Sequence, residues 1–149
     1  MPSLWRRSVI NRGHRKSRKQ ISNRNHFQKK GAIGLMQLMP DTAQWVMEKG
    51  DFANHTIDQI HEPHVNIQMG SWYLSWLSTQ YNGNIVAVTA AYNAGQGNVN
   101  KWISSGRWDG TYEHINSIPF GETRHYVQRV MYYYHKYDKI YSNATDREQ

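Results

Sequence analysis

The first thirty residues differ in kind from the rest of the chain. They contain ten Lys or Arg and no acid, whereas residues 31–149 contain eight basic and eleven acidic residues. The overall charge of +7 therefore hides a segment of +10 followed by one of −3. A segment so rich in Lys and Arg, with no amphipathic period, cannot bury the apolar area that a core requires. We expect the packed domain to begin at Gly31.

From Pro40 onward the pattern is helical. Pro40 and Gly50 bracket a first helix, with proline in its first turn and glycine just past its end. Further helices are predicted over 63–81, 84–94, about 98–105 and 121–141, with a short helical turn in the loop before residue 63. No segment alternates apolar and polar residues as a β-strand does. The predicted fold class is all-α, and residues 142–149 are predicted to form a polar tail.

Two stripes of apolar and aromatic residues are predicted to hold the helices together. The spacing of three and four residues places Ile67, Gly70, Leu74, Leu77 and Tyr81 on one face of the longest central helix. The same spacing gives a stripe of Tyr126, Val130, Tyr133 and Tyr137 on the closing helix.

Composition and motifs exclude several classes of chemistry. Without cysteine the chain has no disulfide or thiolate chemistry, and no apolar run approaches the ~18 residues of a membrane span. The beginning of the chain shows no export signal. His61, Glu62 and His64 are interpreted as solvated loop residues rather than metal ligands, and we expect no cofactor. The basic segment lacks interleaved aromatics, so we expect no specific nucleic-acid partner.

Three stretches combine glycine turns with amides and aromatics, as the floor and walls of a polar groove do. They are GAIGLMQLMP at 31–40, AAYNAGQGNV at 90–99 and IPFGETRHYVQRV at 118–130. Taken singly, each has an ordinary structural interpretation: a core segment, a tight helix–helix contact and a helix start.

In their order and spacing these stretches resemble the lytic transglycosylase family, whose soluble lytic transglycosylase (SLT) domain has a lysozyme-like fold. The family pattern runs E-S-x-F-N-P, S-x-x-G-A-x-G-L-M-Q-x-M-P, N-I-x-x-G-x-x-Y-L, A-Y-N-A-G-x-G-N-V and E-T-R-x-Y-V. This chain has GAIGLMQLMP, then NIQMGSWYL at 66–74, AYNAGQGNV at 91–99 and ETRHYV at 122–127. The resemblance implies an SLT domain over 31–141, with several short helices around a glycan-binding groove.

The family cleaves peptidoglycan between N-acetylmuramic acid and N-acetylglucosamine and leaves 1,6-anhydro ends. The resemblance implies this activity here, outside the cytoplasm or at the cell wall, in a monomer without cofactor. In the family one glutamate acts first as acid and then as base, which requires a pKa raised by apolar surroundings. Most glycosidases instead use two carboxylates.

The resemblance also assigns roles to individual residues. Gln37 and Met39 would line the groove near the reacting sugar, and Tyr92 would orient the catalytic carboxyl or the substrate. Asn93 would hold its loop or bind a sugar amide, and Tyr126 would form part of the wall. These five are the predicted substrate-binding residues.

Two further motif residues are expected to have structural roles near the groove. Glu122 and Arg124 would hold the last helix against the groove. A mutual ion pair between their side chains is the simpler alternative.

The family's catalytic glutamate is missing. It should lie fifteen residues before Gly34, where this chain has Lys19, and no acid occurs before Asp41. The family's serine near the groove should fall at about Gln28. One interpretation is a catalytically inactive homologue that binds peptidoglycan.

The other interpretation is a shifted reading frame. With suitable codons, residues 18–29 read one base later give ESRFQTEIISK, which restores the family's E-S-x-F pattern at the correct distance from Gly34. The hypothesis accounts for both the basic composition and the missing glutamate.

Overall fold

The computed structural model describes residues 31–145, so the basic segment, including Lys19 and Gln28, lies outside the described residues. In the described part the chain forms five α-helices: α1 Pro40–Lys49, α2 Pro63–Gln80, α3 Ile85–Ala94, α4 Gln96–Ser104 and α5 Gly121–Thr145. Two 3₁₀ turns, Ile57–His61 and Ile115–Ser117, separate them. Residues 31–145 contain one isolated antiparallel bridge and no longer strand. The all-α prediction is confirmed, and α5 continues four residues into the predicted polar tail.

The chain divides into two compact units at Met69 and Gly70, within α2. In the described part of the first unit, α1 packs against the 3₁₀ turn Ile57–His61. Ala43 and Val46 are fully buried on α1, and Ile60 is buried on the turn. Pro40 occupies the first turn of α1, as its fixed φ angle and missing N–H favour.

The second unit is built around α3. Val86, Ala87, Val88, Thr89, Ala90 and Ala91 are all buried, and the helix packs against both α4 and α5. Its small side chains allow this close approach. The Asn84 side chain begins the helix by accepting hydrogen bonds from the N–H groups of Val86 and Ala87. The helix predicted over 84–94 is confirmed.

The loop between α4 and α5 contributes the largest fully buried side chain among the described residues. Trp108 is only 1% exposed, and its indole N–H donates to the carbonyl of Thr111 at 3.0 Å. A buried tryptophan with a satisfied N–H fixes a loop as firmly as a helix contact does.

The predicted stripe on α2 is confirmed at Gly70 and Leu77, which are buried, and wrong at Ile67, whereas the predicted stripe on α5 is wrong in position. On α2 the buried residues include Met69, Tyr73 and Leu77, while Ile67 is 43% exposed.

On α5 the buried residues are Thr123, Val127 and Met131, while Tyr133 and Tyr137 are more than half exposed. The physical reason on α5 is its close packing on α3, which leaves room for a threonine and a valine but not for successive tyrosine rings. Among residues 31–145, no helix is long and apolar enough to cross a membrane.

Candidate functional site

The GLMQ motif forms a tight turn in the first unit. Ile33 and Leu38 exchange two backbone hydrogen bonds of 2.9 and 3.0 Å, which close the four residues between them into a loop. Within the loop the Gln37 N–H donates to the Gly34 carbonyl at 3.1 Å. Gly34 has φ +72° and Gln37 has φ +52°. The second value is uncommon for a residue with a side chain, so surrounding contacts must hold Gln37 in place.

Asn66 anchors this turn. It is fully buried, and its side-chain oxygen accepts the Met36 N–H at 2.8 Å. Its amide nitrogen donates to the carbonyls of Ile33 at 3.0 Å and Ile60 at 3.1 Å. A Cβ on Gly34 would lie 2.4 Å from the Asn66 side chain. Gly34 is therefore required both by its φ angle and by the close approach of Asn66.

The two predicted groove residues of the first unit lie in this turn and just after it. The Gln37 amide nitrogen donates to the Gly34 carbonyl at 2.8 Å, and its amide oxygen is shielded from solvent without a hydrogen-bond partner among the described residues. Met39 is the residue before α1, and its backbone is extended. Asn66 thus determines the backbone from which Gln37 and Met39 project.

The second unit contains a group of four partly or largely buried tyrosines, here called the tyrosine cluster: Tyr73, Tyr81, Tyr92 and Tyr126. The rings of Tyr73 and Tyr92 lie 5.6 Å apart, and Tyr73 also stacks on Trp76 with centroids 6.3 Å apart. The Tyr81 hydroxyl donates to the Asn100 side chain at 2.9 Å. Of the predicted site residues, the structure places Tyr92 and Tyr126 in this one environment.

Burial keeps the hydroxyls of the tyrosine cluster neutral. It raises the pKa of Tyr92, with smaller effects from Tyr126 and Tyr73, and it also raises the pKa of Tyr73 and Tyr126. The pKa of Tyr81 rises to about 12 through burial and then through Tyr73. At neutral pH each hydroxyl can therefore both donate and accept a hydrogen bond. The same desolvation would raise the pKa of any carboxyl placed in such surroundings.

We expect the contribution of the tyrosine cluster to stability to be constant below about pH 10 and to fall between pH 10 and about 12. A tyrosine pKa that is raised by folding contributes stability below the unfolded value near 10, and this is lost as pH passes the folded value. Urea unfolding at pH 8, 10 and 11.5, with tyrosinate absorbance as the titration signal, measures this. In Tyr81→Phe the stability should fall less between pH 10 and about 12, whereas in Tyr137→Phe, which changes an exposed tyrosine, it should fall as in the unchanged chain. An equal decline in both variants would contradict the assignment to Tyr81.

Asn93 and Thr123 join α3 to α5. The Thr123 hydroxyl donates to the Asn93 side-chain oxygen at 2.8 Å, and Thr123 is buried. Arg124 donates to the Asn116 carbonyl at 3.4 Å. In the described part of the chain the ion pairs join His64 to Glu62 and His114 to Asp109, so Glu122 and Arg124 do not form the mutual pair given as the simpler alternative.

Sequence reasoning missed three residues of these two environments. Asn66 begins the NIQMGSWYL motif, but nothing in a helical pattern distinguishes a buried asparagine from an exposed one. Tyr73 lies in the same motif, and Tyr81 was assigned to an apolar stripe. Their partners are distant in sequence, so only the folded chain identifies them. No three His, Asp or Glu side chains within residues 31–145 lie close enough to hold a metal ion.

Comparison with known proteins assigns the family. The sequence profile described as the Transglycosylase SLT domain matches residues 9–115, more than two thirds of the chain. The chain is 42% identical over 106 residues to a soluble lytic murein transglycosylase of Salmonella typhimurium, and the matched region covers 69% of this chain and 16% of that protein. It is 30% identical over 131 residues to a membrane-bound lytic murein transglycosylase C of Haemophilus ducreyi, covering 73% of this chain and 35% of that protein.

A solved structure agrees with these relatives. The lytic transglycosylase Slt of Pseudomonas aeruginosa, crystallised as an inactive mutant with glutamine in place of a glutamate, matches with a TM-score of 0.53 and 45% identity. The match covers 63% of this chain and 15% of that one. This chain thus spans about a sixth of the length of the soluble relatives it matches. The profile match, the relatives and the solved structure agree that the chain belongs to the transglycosylase SLT domain family.

Proposed function

We propose that this chain binds the glycan strands of peptidoglycan, and that cleavage to 1,6-anhydro ends requires a glutamate at the position of Lys19. The observation that carries the proposal is the family match over residues 9–115. The names of the relatives support it, since those quoted above are called lytic murein transglycosylases. Because murein lies outside the cytoplasm, the proposal also places the protein there.

The tyrosine cluster supplies the proposed contacts of the second unit. The hydroxyls of Tyr92 and Tyr126 are neutral and can bond sugar hydroxyls or acetamido groups, and aromatic rings provide faces for pyranose rings. Asn93 would assist through its amide group. Within the first unit, Gln37 and Met39 would contact a sugar from the turn that Asn66 anchors.

Glu122 and Arg124 would act indirectly. They lie in the first turn of α5, and Arg124 bonds the Asn116 carbonyl in the 3₁₀ turn that precedes this helix. Such a contact fixes the start of α5 and with it the position of Tyr126. We assign both residues a positioning role rather than a contact with the glycan.

The chemistry of the family step explains why one carboxyl matters so much. The glutamic acid gives its proton to the leaving glycosidic oxygen as the C1–O bond breaks. The C6 hydroxyl of the same muramic sugar then bonds to C1 and returns its proton to the carboxylate, so no water is consumed. A lysine has an ordinary pKa near 10.4 and is a poor acid and base for this cycle at neutral pH. Its positive charge would also oppose an oxocarbenium-like transition state.

The relative from Pseudomonas aeruginosa supports this dependence on a carboxyl. Its structure was determined for a mutant described as inactive, in which a single glutamate is replaced by glutamine. A neutral side chain of the same shape therefore abolishes activity in that protein. With Lys19 at this position, the chain is proposed to bind peptidoglycan without cleaving it.

The binding half of the proposal is tested with a soluble N-acetylglucosamine–N-acetylmuramic acid oligomer in isothermal titration calorimetry. The chain should bind this oligomer more tightly than cellohexaose, which lacks acetamido and lactyl groups. Tyr92→Phe removes only a hydroxyl, so binding should weaken about fivefold, as expected for one lost hydrogen bond. Tyr133→Phe removes an exposed hydroxyl on α5 and serves as the matched control, with unchanged affinity. Equal affinity for the two oligomers, or equal effects of the two substitutions, would argue against the proposal.

A further inference from the structure

A cavity lies beside the second half of α5, within the second unit. Its volume is about 380 Å³, within the ~300–1,000 Å³ range of small-molecule sites. Six residues line it: Tyr112, Met131, Tyr132, His135, Lys136 and Lys139. None of them belongs to the four family motifs or to the tyrosine cluster.

Among the residues that the structure describes, the lining of the cavity contains two lysines and no carboxylate. Lys136 and Lys139 are three residues apart on α5 and so lie on the same side of the helix. The ammonium of Lys136 is 4.8 Å from the centroid of the Tyr132 ring, a cation–π contact that limits where it points. In the described part of the chain neither lysine forms an ion pair with an acidic side chain. Two cations on one wall are therefore available to an anionic ligand.

The hydrogen-bonding groups of the cavity favour a ligand rich in acceptors. Lysine can only donate, while tyrosine and histidine can do either, and among the described residues no Asp, Glu, Asn or Gln lines the cavity. A neutral sugar would leave both ammonium groups without an opposite charge. Carboxylates match the lysines instead, through charge-assisted hydrogen bonds.

The rest of the lining is apolar. Met131 is only 6% exposed, whereas the rings of Tyr112 and Tyr132 are about half exposed. A ligand that fits this surface has small apolar groups beside its carboxylates. A short acidic peptide that contains alanine has this composition, whereas an oligonucleotide needs a longer stacking groove.

We propose that this cavity binds a short acidic peptide through Lys136 and Lys139, with Tyr112 and Tyr132 covering its apolar groups. The inference rests on the proposed function, because the peptides attached to peptidoglycan strands carry free carboxylates and alanine side chains. The cavity would therefore be a second contact with the same polymer, one that recognises its peptide rather than its sugar.

The test is binding of two synthetic peptides to the full chain, measured by calorimetry at low ionic strength. One is acetyl-Ala-γ-Glu-Lys-Ala with two free carboxylates, and the other is the same peptide with both carboxylates amidated. We expect the free acid to bind at least tenfold more tightly. The double variant K136Q/K139Q should lose about tenfold in affinity for the free acid, since glutamine keeps helix propensity and removes both charges. The matched control is K101Q, which replaces an exposed lysine on α4 and should not change the affinity for the free acid.

Three results would overturn the inference: equal binding of the two peptides, unchanged binding in K136Q/K139Q, or tighter binding of an oligothymidylate 12-mer than of the acidic peptide. Tyr112→Ala gives a second line of evidence and should weaken binding of the free acid and of the amidated peptide alike. Failure here is distinguishable from failure of the proposed function. Tyr92→Phe should weaken binding of the glycan oligomer and leave binding of the peptide unchanged. K136Q/K139Q should weaken binding of the peptide and leave binding of the glycan oligomer unchanged.

Discussion

Replacing residues 19–29 by ESRFQTEIISK should raise the release of 1,6-anhydro-muramic products from purified peptidoglycan at least 10²-fold over the chain as written. The replacement keeps the numbering of Gly34 and restores a carboxyl fifteen residues before it. Proton transfer by a positioned side chain is worth about 10²–10⁴ in rate, and here one group performs both transfers. Products are measured by chromatography and mass spectrometry of the soluble fraction.

The matched control is the same replacement with glutamine in place of the leading glutamate. Both versions restore phenylalanine and two isoleucines to the segment, so any gain in stability should be shared. Only the glutamate version should show turnover. The assignment of the catalytic position to residue 19 fails if the chain with Lys19 is already as active as the glutamate version. It also fails if the glutamine version shows the same turnover as the glutamate version.

The DNA across codons 1–31 separates the two origins of Lys19. If a second frame encodes ESRF at the correct distance, the encoded domain carries the glutamate of its family and the basic segment comes from a shift of frame. If the codons do not permit that reading, Lys19 is the encoded residue, and peptidoglycan binding without turnover is the function to assay.

Asn66→Ala should lower the free energy of unfolding by about 3 kcal/mol, because it leaves the Met36 N–H and the Ile60 carbonyl without their partner and removes one of the two hydrogen bonds to the Ile33 carbonyl. Asn66→Asp should cost at least as much. A carboxylate still accepts from Met36, but it cannot donate to the two carbonyls and it buries a charge. Urea unfolding gives the total loss, and hydrogen exchange at the Met36 amide reports the turn itself.

Asn98→Ala is the control for the loss of an asparagine side chain. Its amide donates to the Ala94 carbonyl at 2.7 Å on an exposed surface, so its removal should cost less than about 1 kcal/mol. Comparable losses at the two asparagines, or unchanged exchange at Met36 in Asn66→Ala, would show that Asn66 does not anchor the turn.

A double-mutant cycle with Gly34→Ala tests the same contact from the other side. An added Cβ would lie 2.4 Å from the Asn66 side chain, at a φ angle that alanine disfavours. Because Asn66→Ala removes the obstructing group, the double variant should lose about 1 kcal/mol less than the sum of the single variants. Additive losses would mean that the backbone angle alone requires Gly34.

The sequence by itself determined where α1 and α3 begin and end, whereas α4 begins about two residues earlier than predicted and α5 ends four residues later. Proline in the first turn of α1, Asn84 before α3 and the glycines after α1 and α3 are local signals, so no tertiary information is needed to use them. The order of the four motifs likewise determined the family, and the spacing back from Gly34 predicts that the catalytic glutamate of the family falls at Lys19.

Only the tertiary structure decided which face of each helix is buried. Two neighbouring stripes on α5 were both possible by periodicity, and close packing on α3 buried Thr123 and Val127 rather than the tyrosines. The anchoring role of Asn66 was hidden for the same reason. Two of its three partners, Met36 and Ile33, lie about thirty residues away, and a hydrogen bond between distant residues leaves no periodic trace in a sequence.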